Sequence, residues 1–145
     1  MEIINTNSKK LSLEEISDFE KVNDIVLPSD YKNFMLEYNG GQPVPDNNIH
    51  PPTVVRYLLG MNNESFSISL YKHIDTYKNR LPLSTFPIAT DPLGNLFIMS
   101  LHPEGHGHIY FWDHEQEPIV QDGHYTDNCS FVAYSFDEFL RNLVL

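Results

Sequence analysis

A chain of 145 residues holds one hydrophobic core, and a 41% hydrophobic fraction with nine Phe, eight Tyr and one Trp is enough to fold without disulfide or metal staples. Nine Lys and Arg against twenty Asp and Glu leave a formal charge of −11, which repels nucleic-acid phosphates and anionic lipid headgroups and attracts a basic partner. The single cysteine, Cys129, excludes an intramolecular disulfide and suits the reducing cytoplasm, and no apolar run approaches the roughly 18 to 20 residues of a membrane span.

In chain order, Ser12-Leu13-Glu14-Glu15 is a capping box that opens a helix with Leu13, Ile16 and Phe19 on its apolar stripe. After Leu27-Pro28, Ser29 is expected to cap a second helix whose Tyr31, Phe34, Met35 and Tyr38 recur at spacings of three and four. Asn39-Gly40-Gly41 stops it, because these residues accept the left-handed backbone that closes helices. Four prolines within residues 42–53 predict an extended surface loop, and the β-branched and aromatic run 54–59 predicts a strand. A third helix is expected to bury Leu70, Tyr71, Ile74 and Tyr77 and to end before Pro82.

From Phe86 onward the period shifts toward two. Residues 86–89, 96–101, 108–113 and 130–134 read as four strands of an antiparallel meander, with Asp91-Pro92-Leu93-Gly94-Asn95 turning between the first pair. Ser135-Phe136-Asp137-Glu138 then has the form of a second capping box, opening a helix with Phe136, Phe139, Leu140 and Leu143 on one side. Helices first, strands next and a helix last predict an α+β fold, a single domain over 1–145 with an antiparallel sheet and its helices mainly on one face. Cys129, beside Ser130-Phe131-Val132-Ala133, reads as a small buried hydrophobe.

Three segments taken together resemble the SUKH superfamily, which contains the fungal Smi/Knr cell-wall regulators and many bacterial immunity proteins. They are Leu27-Pro28-Ser29-Asp30-Tyr31-Lys32 with Asn39-Gly40-Gly41, then Ile88-Ala89-Thr90-Asp91 with Gly94-Asn95, then Ile109-Tyr110-Phe111-Trp112-Asp113-His114-Glu115 before Ser135-Phe136-Asp137-Glu138-Phe139-Leu140. The resemblance implies an α+β scaffold and, in bacteria, a gene beside a polymorphic or contact-dependent toxin, often a nuclease, that the protein neutralises by binding rather than by catalysis. Such a role implies no cofactor. Residues 42–52 and the loop around His106 fall outside the shared pattern and are places for a partner-specific surface.

Within that frame the partner-binding candidates are Tyr110, Trp112, Asp113, His114, Glu115 and Asp122. Tyr110, Trp112 and His114 share one strand face, opposite Ile109 and Phe111. Trp112 is either core packing or an interface anchor. The carboxylates from Asp113 to Asp127 follow the aromatic strand with no Lys or Arg among them, either as a solvated face or as a dock for a basic toxin. His102, His106, His108 and His114 supply ligand types for a metal-dependent hydrolase, the rival reading, but their spacing matches no regular ligand motif, so no metal is expected. A regulatory scaffold resembling the fungal members is a third reading.

Overall fold

The elements, in chain order, are β1 (Glu2–Ile4), α1 (Leu13–Asn23), α2 (Ser29–Glu37), β2 (Gln42–Val44), β3 (Asn48–Ile49), β4 (Thr53–Val54), β5 (Tyr57–Leu58), α3 (Leu70–Tyr77), β6 (Thr85–Thr90), β7 (Leu96–Ser100), β8 (Ile109–Trp112), β9 (Cys129–Ala133) and α4 (Phe136–Asn142). The computed structural model describes residues 2–6, 8–44, 48–49, 53–62, 65–116 and 128–143. Strands β5-β6-β7-β8-β9 form one antiparallel sheet in sequence order, and β1 pairs with β2, and β3 with β4, in two small ones. The fold is α+β.

Local chemistry accounts for the helix ends. Ser12 Oγ accepts the Glu15 N–H at 3.1 Å while the Glu15 carboxylate accepts the Ser12 N–H at 3.1 Å, both arms of the expected capping box. At α4 only one arm forms as expected: Ser135 Oγ accepts the Glu138 N–H at 3.1 Å, but the Glu138 carboxylate accepts from Tyr134 N, one residue before the cap. Helix α2 starts at Ser29, so Pro28 rather than Ser29 holds the cap position. Proline's fixed φ presets the first turn, the Pro28 carbonyl accepts the Lys32 N–H, and Asp30 Oδ1 accepts the N–H of Tyr31 at 2.8 Å, doing what a serine cap would do.

Asn39 ends α2 with a φ of 50° and does more than stop it. Its buried side chain donates to Lys9 O at 2.7 Å and Met61 O at 2.8 Å and accepts the Met61 N–H at 2.7 Å, clamping three chain segments. Gly40 follows at φ +84°, where a Cβ would lie 2.6 Å from Leu58 O, so β5 can approach the helix end only because no side chain is there.

Alternation decides the faces of the sheet. Phe86, Phe97, Met99, Ile109, Phe111 and Ala133 point to the main core, where α1 contributes Ile16 and Phe19, α2 contributes Tyr31, Phe34 and Met35, and α4 contributes Phe136, Phe139 and Leu143. The rings interlock edge-on or tilted, with Tyr31 5.0 Å from Phe136 and Phe97 5.3 Å from Phe139. Helices thus lie mainly on one face. The opposite face carries a second cluster of Leu81, Leu96, Ile98 and Trp112.

Several expectations are corrected. Part of residues 42–53, expected as loop, forms strands: β2 pairs with β1 in the register Glu2↔Val44, and β3 pairs with β4. In a two-stranded sheet Pro43 needs no second ladder bond, so proline is tolerated. The strand expected over 54–59 is divided between β4 and β5, although Arg56 N and Leu59 N still bond to the carbonyls of Thr90 and Ile88. Leu13 and Tyr71 are exposed rather than core, Tyr71 meeting the edge of Phe19 at 5.6 Å, and His73 takes the buried place on α3. Cys129 is half-buried.

Candidate functional site

Strand β8 sends Tyr110 and Trp112 to the outer face, where they pair with Phe131 and Cys129 of β9 and with Ile98 and Leu96 of β7. The two aromatics differ in exposure. Trp112 is 0% exposed: Tyr77 packs edge-on at 5.6 Å, and the Arg80 guanidinium lies 5.6 Å above the indole and 4.7 Å above the Tyr77 ring. Residues at the end of α3 and in the turn after it therefore cap this part of the sheet. The structure places the Trp112 indole in the core, with Nε1 lacking an acceptor among the described residues, while Tyr110 is half-buried.

Asp113, His114 and Glu115 follow in a 3-10 turn that a hydrogen-bond network fixes to the β6–β7 turn. Buried Asp91 accepts the N–H groups of Leu93 and Asn95 through Oδ1 and the Asn95 amide through Oδ2. Asn95 Oδ1 in turn accepts the His114 N–H at 3.1 Å, and His114 Nε2 lies 2.9 Å from Leu93 O. Asp113 Oδ1 accepts the Glu115 N–H at 2.9 Å, while Asn128 braces the Asp113 backbone from both sides. The segments Asp91…Asn95 and Asp113-His114-Glu115, 18 residues or more apart, thus form one rigid corner with an exposed Glu115. Asp122, with Glu117 and Asp127, lies outside the described residues.

The histidines go to separate places. His102 Nδ1 accepts from Glu104 N, His106 Nε2 bonds Val26 O at 2.8 Å, and His108 packs between Phe131 and Tyr134. Among the described residues no three metal-ligating side chains converge. A groove of about 650 Å³ runs between the end of α1 and the loop after β7, lined by Asp24, Val26, Ser84, Leu101 and His106 among others, with charges of both signs at its rim.

One feature of the outer face was not foreseen. Ile109 pairs with Ala133 but Tyr110 pairs with Phe131, so Val132 is an extra residue in β9, and both Val132 and Ala133 pack toward the main core. This bulge returns Tyr134 to the same side as Phe131, whereas strict alternation would separate residues three apart. Their centroids are 4.7 Å apart, with Tyr110 5.8 Å from Phe131 and His108 5.4 Å from Tyr134. The sequence signal was faint: an aromatic pair at an odd spacing in a strand.

This architecture defines an α+β scaffold that presents one face of an antiparallel sheet, with a hydrogen-bonded acidic corner beside an aromatic surface. The sequence pattern of the SMI1 / KNR4 family (SUKH-1) matches residues 10–142, and the chain belongs to that family. It is similar to the SPbeta prophage-derived uncharacterized protein YokK of Bacillus subtilis, with 29% identity across 97% of this chain and 76% of that protein. It is also similar to the immunity protein RhsIB of Dickeya dadantii, with 28% identity across 94% of this chain and 75% of RhsIB. No solved structure matches significantly. Among the described residues no helix is long and apolar enough to cross a membrane.

Proposed function

We propose that the protein is an immunity protein that binds and neutralises a cognate bacterial toxin in the cytoplasm, with no catalysis and no cofactor of its own. The observation that carries this reading is the family match over nearly the whole chain together with similarity to a protein named as an immunity protein. Charge supports it: at −11 the chain disfavours nucleic-acid ligands and attracts a basic protein, such as a nuclease, whose own substrate is anionic.

In this reading Asp113, His114, Glu115 and Asp122, with Tyr110 beside them, meet the toxin, and buried Trp112 holds the strand that carries them. Because the 3-10 turn is already fixed to Asn95 and Asn128, its carboxylates reach the partner at little ordering cost. Association kinetics test this with the toxin domain encoded beside this gene. Neutralising Asp113, Glu115 and Asp122 to their amides should slow association and flatten its dependence on salt while circular dichroism stays native. A triple variant that associates as fast as wild type at low salt would remove these carboxylates from the interface.

A further inference from the structure

The outer face of the sheet is covered unevenly. Tyr77, Arg80 and Leu81 seal Trp112, Leu96 and Ile98, but further along β8 and β9 the same face carries Tyr110, Phe131, Tyr134 and His108 with Phe131 41% and Tyr134 66% exposed. Single exposed aromatics need no explanation; four rings in mutual contact at a sheet's last strand do. The bulge at Val132 is what assembles them, and bulges are a common means of re-aiming side chains at sites. Each ring is braced by another, so little side-chain freedom is lost when a partner covers them.

The surroundings specify the partner's chemistry. Residues 108–143 contain seven carboxylates, Asp113, Glu115, Glu117, Asp122, Asp127, Asp137 and Glu138, and one basic side chain, Arg141. The Glu138 carboxylate sits 3.0 Å from Tyr134 N, and Asp30 Oδ2 sits 3.0 Å from Asp137 N, which places three carboxylate-bearing residues at the Tyr134 end of the ring row. Flat aromatic faces with carboxylates at one end suit a guanidinium, which stacks on the ring while its N–H groups reach the acids.

We propose that Phe131 and Tyr134, with Tyr110 and His108 beside them, form the docking platform for an arginine-bearing basic segment of the toxin. This rests on the immunity role proposed above. The platform is a second contact region, carried by β9 and the start of α4, beside the acidic corner at Asp113 to Glu115.

The test is surface-binding kinetics of the purified toxin domain encoded beside this gene with wild type, Tyr134→Ala, Phe131→Ala and the double variant. Tyr134→Phe and Val22→Ser, at an 82% exposed site on α1, serve as controls. The double variant should bind at least about 30-fold more weakly, mainly through faster dissociation, with its melting temperature near wild type, while both controls bind as wild type does. If Phe131→Ala lowers the melting temperature, Tyr134→Ala alone still decides. Wild type binding the toxin with the double variant within about threefold of it overturns the platform and leaves the immunity role standing. Failure of wild type itself to bind overturns the role and the platform together. Light scattering that shows a wild-type dimer and a monomeric double variant of unchanged toxin affinity assigns the rings to a second copy of this chain and also overturns the proposal.

Discussion

Replacing Trp112 separates packing from partner contact. The indole is 0% exposed, touches Tyr77 and Arg80, and sits in a cluster with Leu81, Leu96 and Ile98. Truncation to Ala removes the largest side chain of that cluster and should cost about 3 to 5 kcal/mol, a large share of the roughly 5 to 15 kcal/mol that holds a domain folded. Phe at the same place should behave differently. It gives up roughly two carbons of buried surface, about 1.6 kcal/mol, but also removes an N–H that lacks an acceptor among the described residues, worth about 1 to 3 kcal/mol. These terms offset each other, so Trp112→Phe should lie within about 1 kcal/mol of wild type. Trp112 is the chain's one tryptophan, so urea unfolding must be followed by far-ultraviolet circular dichroism rather than by its fluorescence. A Trp112→Ala variant within about 0.5 kcal/mol of wild type would refute the core assignment, above all if that variant had also lost toxin binding.

Asn39→Ala should destabilise by about 3 kcal/mol, since three bonds worth about 1 kcal/mol each are lost and Ala at a φ of 50° is strained; unchanged urea stability would contradict the clamp. Tyr31→Phe should be neutral or stabilising by up to about 2 kcal/mol, because the buried hydroxyl, its pKa driven up by burial, has no acceptor among the described residues; a loss above about 1 kcal/mol would reveal a partner. His73 is buried against Phe66 and Tyr77, and burial depresses its pKa from the ordinary 6.5 despite a hydrogen bond to Ser69 O. The unfolded chain therefore takes up a proton that the folded one refuses. Stability should fall as pH drops below about 6.5 toward the lowered folded value, and His73→Phe should reduce that slope in melting curves from pH 7 to 5; an equal slope in both would exclude His73 as its source.

Where neighbours in sequence supply the physics, the fold was legible. The Ser12 box, the Asn39-Gly40-Gly41 stop and the aromatic stripes of α2 and α4 need only local bonds and helical spacing, and the family segments coincide with them. What escaped prediction depends on distant partners. Strand β1 exists because Gln42–Val44, some forty residues on, pairs with it, and nothing within three residues announces that. Trp112 was left between core and surface because alternation gives its face correctly but does not reveal that Tyr77 and Arg80, more than thirty residues earlier, cover it. Phe131 and Tyr134 escaped notice because one unpaired residue, Val132, inverts the face of everything after it. For the site, the corner at Asp113 to Glu115 was named from sequence, whereas its attachment through Asp91 and Asn95 required the structure.

Protection from the toxin measures the central claim most directly. The toxin domain encoded beside this gene is induced in a bacterial host with and without this protein, and growth is followed while both proteins are quantified. The account predicts growth arrest with toxin alone, recovery when wild type is co-expressed, and a complex that co-purifies and loosens as salt rises. Continued arrest with folded wild-type protein in excess over the toxin, and no complex at low salt, would contradict it.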